Sequence, residues 1–507
     1  EREAAAGLEP AGQPGVREPE ATVVAVDTIV VTSPLYSYGI SSAGGSIVDA
    51  RLLEFRSFTE DGPVNLVPEG VDALVEYRLL IGDRTIELSR LPFTVRSTTP
   101  IRVDSATGER TLTLTHNDPE TGATIDLTYA FAPDRYLIGV SGQVRGRFGD
   151  APTLGIAVGP RLGSHEADPD EDARAAAYVV NGRREGIQSV SISDADARRV
   201  LEGPLYWTGF RGKYFLAAVI SDCEQAVECF GGAIAEPTVS PSGVELVTTL
   251  PVGRDGRFQY ALYLGPQEPS RLAQLGRDLQ DVNPYGWQIF RPILRPLAHF
   301  VTWAVTEMHG VLDIGYGWVL ILFGFLVRIV LWPLNAKAMR SQLKNMELQP
   351  VIQDLQKRHK NEPEKLQKEM LRLYREEGFN PLGGCLPMLI PFPVLITLYF
   401  VFQNTIEFRG VDFLWLADLS RPDPLYLLPI LLGLSMFALQ WLSARAQPTM
   451  NPQMKIMMWV MPGMITIFFF NLASGLNLYY FASNLASIPQ QLQIMQERKR
   501  VRARMDG

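Results

Sequence analysis

From Thr22 to about Pro266 apolar and polar residues alternate in short runs separated by turn-forming clusters. The stretch "RTLTLTHNDPETGATIDLTYAF" (110–131) places Leu112 and Leu114, then Ile125, Leu127 and Tyr129, around the turn-rich "NDPETG". A period of two marks strands with one buried face. Similar runs recur at "VEYRLLIG", "YLIGVSGQV", "YFLAAVI", "VELVTTLPV" and "FQYALYLGP". Many short strands without helical periodicity predict a large antiparallel all-β sandwich domain over 22–285. One helix is expected near its end, in "PSRLAQLGRDLQDV" (269–282), where Leu272, Leu275 and Leu279 keep helical spacing.

Beyond Gly286 the pattern changes to long apolar runs. Residues 286–310 are apolar but interrupted by Arg291, Arg295 and two prolines. They read as an amphipathic helix lying in a membrane interface; packing on the sandwich is the plainer alternative. Five candidate spans follow within 311–497: Tyr316–Leu334, one inside Gly378–Ile406, one inside Leu425–Ala444, and two in the uncharged interval Ile456–Gln496. "NLASGLN" (471–477) breaks that last interval into a hairpin. Between the first two spans, Leu348, Ile352 and Leu355, then Leu366, Met370 and Leu373, predict a helical hairpin over 335–377. Asn361, Pro363 and Glu364 are placed to start its second arm.

Charge orients these elements. Up to Tyr285 there are 25 Lys+Arg against 40 Asp+Glu, net −15; from Gly286 there are 22 against 15, net +7. The loop 335–377 holds ten Lys/Arg, "SARAQPTMNPQMK" two with no acid, and the tail 498–507 five. The alternate loop around "EFRGVDFLWLADLSRPDP" is net acidic. By the positive-inside rule the basic loops and the tail are cytoplasmic and the acidic β domain is periplasmic. The polar, Ala/Gly/Pro/Glu-rich residues 1–21 read as a disordered linker.

Arg328 stands well inside the first span, ten residues after Trp318. Hydrocarbon does not solvate a guanidinium, so such a residue faces protein or water and marks a functional site; snorkelling to headgroups is the other reading. The later spans carry Gln403, Asn404, Gln440, Asn477, Ser483, Asn484 and Ser487, with Tyr479 and Tyr480. Singly, each suits helix–helix hydrogen bonding; together they predict a hydrated cavity in which Arg328 is the fixed charge. No Asp or Glu lies inside a span, which speaks against an intramembrane ion pair. No metal-ligand spacing, phosphate loop or nucleophile–base pair is present, so no metal or cofactor is expected and the chain does not read as an enzyme. Cys223 and Cys229 are candidates for one local bridge if their domain is exported; two ordinary thiols is the alternative. Cys385 reads as a packing residue.

The membrane half resembles the YidC/Oxa/Alb insertase family. The resemblance rests on "FLVRIVLWPL" (325–334), "LQPVIQDLQKRHKNEPEKLQKEMLRLYREEGFNPLGGCLPMLIPFPV" (348–394) and "SGLNLYYFASNLASIPQQ" (474–491). The β domain is similar in position and architecture to the periplasmic domain of Gram-negative members, a galactose-mutarotase-type supersandwich. The resemblance implies a multi-pass bacterial inner-membrane insertase and chaperone, working alone or with the Sec translocon. A hydrophilic groove open to cytoplasm and lipid takes the polar end of a nascent membrane-protein client, without nucleotide. Arg328 is then the groove cation, and Tyr480 and Tyr479 are client contacts, with Gln440, Asn477, Asn484 and Ser487 in the lining. The hairpin and basic tail imply weak ribosome contact, and a first anchor helix is implied ahead of the β domain. Two positions depart from the pattern: Gly324 stands where a relative has a client-facing Thr, and Pro391 replaces a polar residue. The runner-up reading is a solute transporter using Arg328 as an anion site, although no internal repeat supports it. A sugar-processing sandwich is a third; His116 and His165, the sandwich's histidines, have no recognisable catalytic setting.

Overall fold

A computed structural model describes residues 27–96, 100–118, 122–148, 150–223, 229–239, 242–283, 289–336, 351, 354–355, 357–359, 362–376, 391–444 and 452–505. The chain divides into two compact units, Glu1–Gly265 and Pro266–Gly507. The expected linker 1–21, the first arm of the 335–377 hairpin for the most part, Asn361 and Cys385 lie outside the described residues.

The first unit is β-rich. Its strands pair almost wholly antiparallel; Thr28–Thr32 beside Ile101–Arg102 is a short parallel exception. The predicted hairpin forms from Arg110–Asn117 and Thr124–Phe131, with Leu112 opposite Tyr129 and Leu114 opposite Leu127. All four are buried, because alternation puts them on one face. The long strand Arg199–Arg211 binds the network together. Its first half pairs with Phe230–Val239 and its second with Phe215–Ser221, while Ala177–Gly182 runs along the other edge. The change of partner falls at a register shift between Glu202 and Leu205. Pro204 lacks a ladder donor there, and a Cβ on Gly203 would come within 2.2 Å of the Gly231 carbonyl.

Two local features differ from expectation. A short helix, α1 (Pro169–Ala175), stands among the strands, held by the Asp168 carboxylate accepting from the Asp170 and Glu171 amides. The helix expected over 269–282 is broken: α2 (Pro269–Leu275) stops at Gly276, whose φ is 71°, and a 3₁₀ turn follows at Leu279–Asp281. Leu272 and Leu279 are both buried, so the apolar spacing survives the break.

The core of this unit contains a chain of phenols. Proton counting on the observed contacts gives Tyr129 donating to the Gly45 carbonyl (2.6 Å), Tyr77 donating to Tyr129 (2.9 Å) and Tyr260 donating to Tyr77 (2.8 Å). The two histidines have structural settings. His165, buried, bonds Ser57 (3.0 Å) and the Asn65 carbonyl (2.6 Å), while His116 meets the Pro92 carbonyl (2.7 Å). Cys223 and Cys229 are joined as a disulfide.

The second unit is helical: α3 (Arg291–Leu312), α4 (Tyr316–Val330), α5 (Pro363–Glu376), α6 (Pro391–Asn404), α7 (Leu427–Ala444), α8 (Pro452–Phe469) and α9 (Ser474–Met505). α3 and α4 meet at 119°, turning on Asp313, whose φ is 52°. Asp281, buried, accepts from Arg295 (3.1 Å) and His299 (3.0 Å) one turn apart and ties the preceding turn to α3. α4, α6, α7 and α9 share a core that includes Leu320, Phe323, Leu398, Phe402, Leu432 and Leu476. α8 and α9 are separated at 470–473, overlapping the expected break at 471–477, whose last four residues are already helical, and α9 runs on through the basic tail. No single helix among the described residues is long and apolar enough to cross a membrane unaided; α3 with α4 meets that length and composition as a bent pair.

Burial holds the Tyr77 phenol at about 12, above its ordinary value. A raised phenol contributes stability that is complete below pH ~10 and lost as pH climbs toward ~12. Tyr77→Phe removes the acceptor of Tyr260 and should cost about 1–3 kcal/mol at neutral pH. The difference in thermal midpoint from wild type should shrink between pH 9 and pH 11.5, roughly the window of that titration.

Candidate functional site

Arg328 lies near the end of α4, an otherwise apolar helix. It is partly exposed, its Nε is buried without a hydrogen-bond partner, and its electrostatic neighbour is the Tyr479 hydroxyl of α9. Ser483, one turn along, lies beside that hydroxyl. Arg328 makes no ion pair among the described residues.

Close helix packing sets this meeting. A Cβ at Gly324 would stand 3.0 Å from the Tyr479 carbonyl and 3.3 Å from the Ser483 amide. Glycine therefore lets α4 approach the α9 backbone one turn before Arg328. Phe323 packs against the Tyr479 ring (centroids 5.8 Å apart), and Tyr480 stands edge-on to Tyr479 (5.1 Å). The Tyr480 hydroxyl is buried without a partner.

The other sequence-derived residues fall into two groups. Asn484 donates to Ser435 (2.9 Å), joining α9 to α7, and Ser487 donates to the Ser483 carbonyl (2.7 Å) within α9. Gln440 is on α7, with its carbonyl oxygen buried and unpartnered. Along α9, Tyr480, Asn484 and Ser487 follow at helical spacing and form one stripe with Tyr479 and Ser483. Asn477 sits apart. Fully buried, it donates to the carbonyls of Phe469, Leu472 and Ala473 (3.2–3.3 Å) and closes the α8–α9 turn. Asn404 likewise spends its amide on the Phe400 carbonyl (2.9 Å) of its own helix. Ser435 and Gln490 were missed by sequence reasoning; Gln490 is legible as eleven residues, three turns, beyond Tyr479. Pro391 is the first described residue of α6.

One end of the bundle is closed. In the loop between α6 and α7, Phe408, Phe413, Leu416 and Leu419 are buried. Asp423, fully buried, accepts from the Leu425 (3.0 Å) and Leu428 (2.7 Å) amides and from Trp415 Nε1 (3.2 Å), capping α7. Ser474 donates to the Asp418 carbonyl (3.1 Å), tying the start of α9 to this loop. By contrast, large apolar side chains face outward. Leu326, Ile329 (65% exposed) and Val330 do so on α4, Leu434 and Trp441 on α7, and Met464, Ile467 (66%) and Phe468 on α8. So many large apolar side chains facing outward depart from the order of a protein dissolved in water.

Residues 28–300 match the family model described as "YidC periplasmic domain" and residues 307–501 the model described as "60Kd inner membrane protein". These define the class, an inner-membrane protein carrying a periplasmic domain. The relative "Membrane protein insertase YidC" from Chlorobaculum parvum is 31% identical over 497 residues, covering 92% of this chain and 82% of its own length. That from Coxiella burnetii is 30% identical over 487 residues, covering 93% and 82%. A solved structure described as "Active YidC insertase crystal structure with the first transmembrane domain resolved" is similar at 18% identity, TM-score 0.36, over 91% of this chain and 92% of that one. The chain belongs to the YidC family of membrane protein insertases. The solute-transporter alternative finds no support among these relatives, which are named insertases.

Gly324→Thr should force α4 from α9 and lower stability by about 1–3 kcal/mol, as overpacking does. Thermal unfolding in detergent measures it; an unchanged midpoint would mean that the crossing is looser than described.

Proposed function

We propose that this protein inserts and helps fold inner-membrane proteins by lending their polar ends a hydrated groove built on Arg328. The single observation that carries the reading is that α4, α7 and α9 combine unmet buried polar atoms with apolar outer faces. Arg328 Nε, Tyr480 OH and Gln440 Oε1 are buried without partners among the described residues, while the outer faces of the same helices are apolar. Unmet polar atoms in a dry interior are costly, so they call for water or a passing ligand.

In this reading α4, α6, α7, α8 and α9 contribute five spans, α3 lies in the interface, and the supersandwich is periplasmic. The hairpin 335–377, the α7–α8 connection and the C-terminal tail are cytoplasmic. What supports the orientation is charge: the connections and tail assigned to the cytoplasm are basic, and the loop between α6 and α7 is net acidic. The bundle's closed end then faces the periplasm, and the groove opens to cytoplasm and lipid.

A client's polar, often acidic, end enters beside Arg328, whose unpaired charge attracts carboxylates. Its apolar helix moves along the lipid-facing side. Sparing the end its full desolvation lowers the barrier, and apolar burial with the membrane potential drives the step. Tyr479 and Tyr480 offer aromatic faces to the client, with Gln440, Asn484 and Ser487 lining the path; Asn477 holds the turn that positions them. The Sec translocon is the proposed partner for larger clients. The basic α9 extension suits weak contact with ribosomal RNA.

Arg328→Ala should reduce insertion of a client with an acidic translocated tail by about tenfold, ~1.4 kcal/mol of lost attraction. A client with a neutral tail should lose less. Undiminished insertion of both into proteoliposomes contradicts the reading.

A further inference from the structure

Gln490 lies on α9 one turn beyond Ser487 and is 4% exposed. Its Nε2 donates to the Trp332 carbonyl at 3.2 Å, four residues past Arg328. Its Oε1 is buried and has no partner among the described residues. The amide cannot usefully be turned over, because that would set two carbonyl oxygens against one another. The latch to Trp332 thus fixes an acceptor that nothing among the described residues uses. Arg328 only donates, and so does not satisfy an N–H group of a passing chain. A polar peptide segment carries both kinds of group, one N–H and one C=O per residue other than proline.

We propose that Gln490 is a client-binding residue of the groove that accepts an N–H of the translocating segment, so that the site reads main-chain donors as well as acidic side chains. This deepens the groove reading and rests on it. Gln490 follows Tyr479, Ser483 and Ser487 on one helical face, so the acceptor extends the polar stripe one turn past Arg328. A tail that enters there places its carboxylates and carbonyls toward Arg328 and its amides toward Gln490. Neutral polar tails, which gain little from the cation, then depend on Gln490 the most. Tails without N–H groups do not depend on it.

The test uses the full chain in proteoliposomes and two clients with the same apolar helix. One has a neutral Ser/Asn-rich translocated tail, and the other a tail of equal length with proline at alternate positions, which removes half the N–H donors. Gln490→Met, similar in size, should lower insertion of the first client by about threefold or more, the worth of one hydrogen bond, and the proline client much less. Equal loss for both clients assigns Gln490 to holding α9 against α4 and overturns the proposal, as does no loss for either. Arg328→Ala run beside it separates the two readings. If it selectively impairs an acidic tail while Gln490→Met shows no dependence on N–H content, the groove stands and the acceptor role falls. As a second measurement, Gln490→Cys on a Cys385→Ser background should crosslink under oxidation to a single cysteine in the neutral tail. Absence of that crosslink while the client still inserts overturns the contact.

Discussion

A guanidinium cannot be made neutral cheaply, and hydrocarbon cannot solvate it. That constraint, imposed by Arg328 on an apolar helix, governs the helical unit. Either the chain supplies a carboxylate, or it holds a wet space around the charge. No Asp or Glu falls inside the apolar runs, and Arg328 makes no ion pair among the described residues. The helices instead bring it the Tyr479 hydroxyl, with Ser483 behind it. Such groups bond water and peptides alike without locking the cation to a fixed partner.

The rest of the unit fits this constraint. Gly324 lets α4 approach the α9 backbone at Tyr479 and Ser483, one turn before Arg328. Asn477 pins the α8–α9 turn and so fixes the height of the tyrosines along α9. Asp423 and the buried aromatic and leucine side chains around it close the far end. The proposed groove, stoppered at one end by packing and lined at the other by unmet polar atoms, is directional. In the proposed orientation, that direction runs from cytoplasm toward periplasm.

Alternation made the hairpin 110–131 legible, because a period of two has one interpretation when turn residues stand between the runs. Apolar run length anticipated α4 and α7, which lie within Tyr316–Leu334 and Leu425–Ala444, and a break between α8 and α9 that overlaps 471–477. The misses share one cause, contacts that depend on what lies opposite. Gly324 reads in sequence as a lost threonine, and only the facing Tyr479 carbonyl explains it. α1 has no apolar stripe and is held by one carboxylate cap, so periodicity could not find it. The break at Gly276 was masked because Leu272 and Leu279 keep helical spacing across it. Asn477 was grouped with the lining by its type, whereas its position in a turn commits it to three carbonyls.

The central claim is that water reaches the polar stripe from one side. Ser483→Cys, with Cys385→Ser, places one reactive thiol beside Tyr479 and Arg328; Cys223 and Cys229 are bonded to each other. A membrane-impermeant thiol reagent should label it in vesicles exposing the cytoplasmic face and leave it unlabelled in vesicles exposing the periplasmic face. A thiol unreactive from both faces would mean a dry interior around Arg328 and contradict the groove.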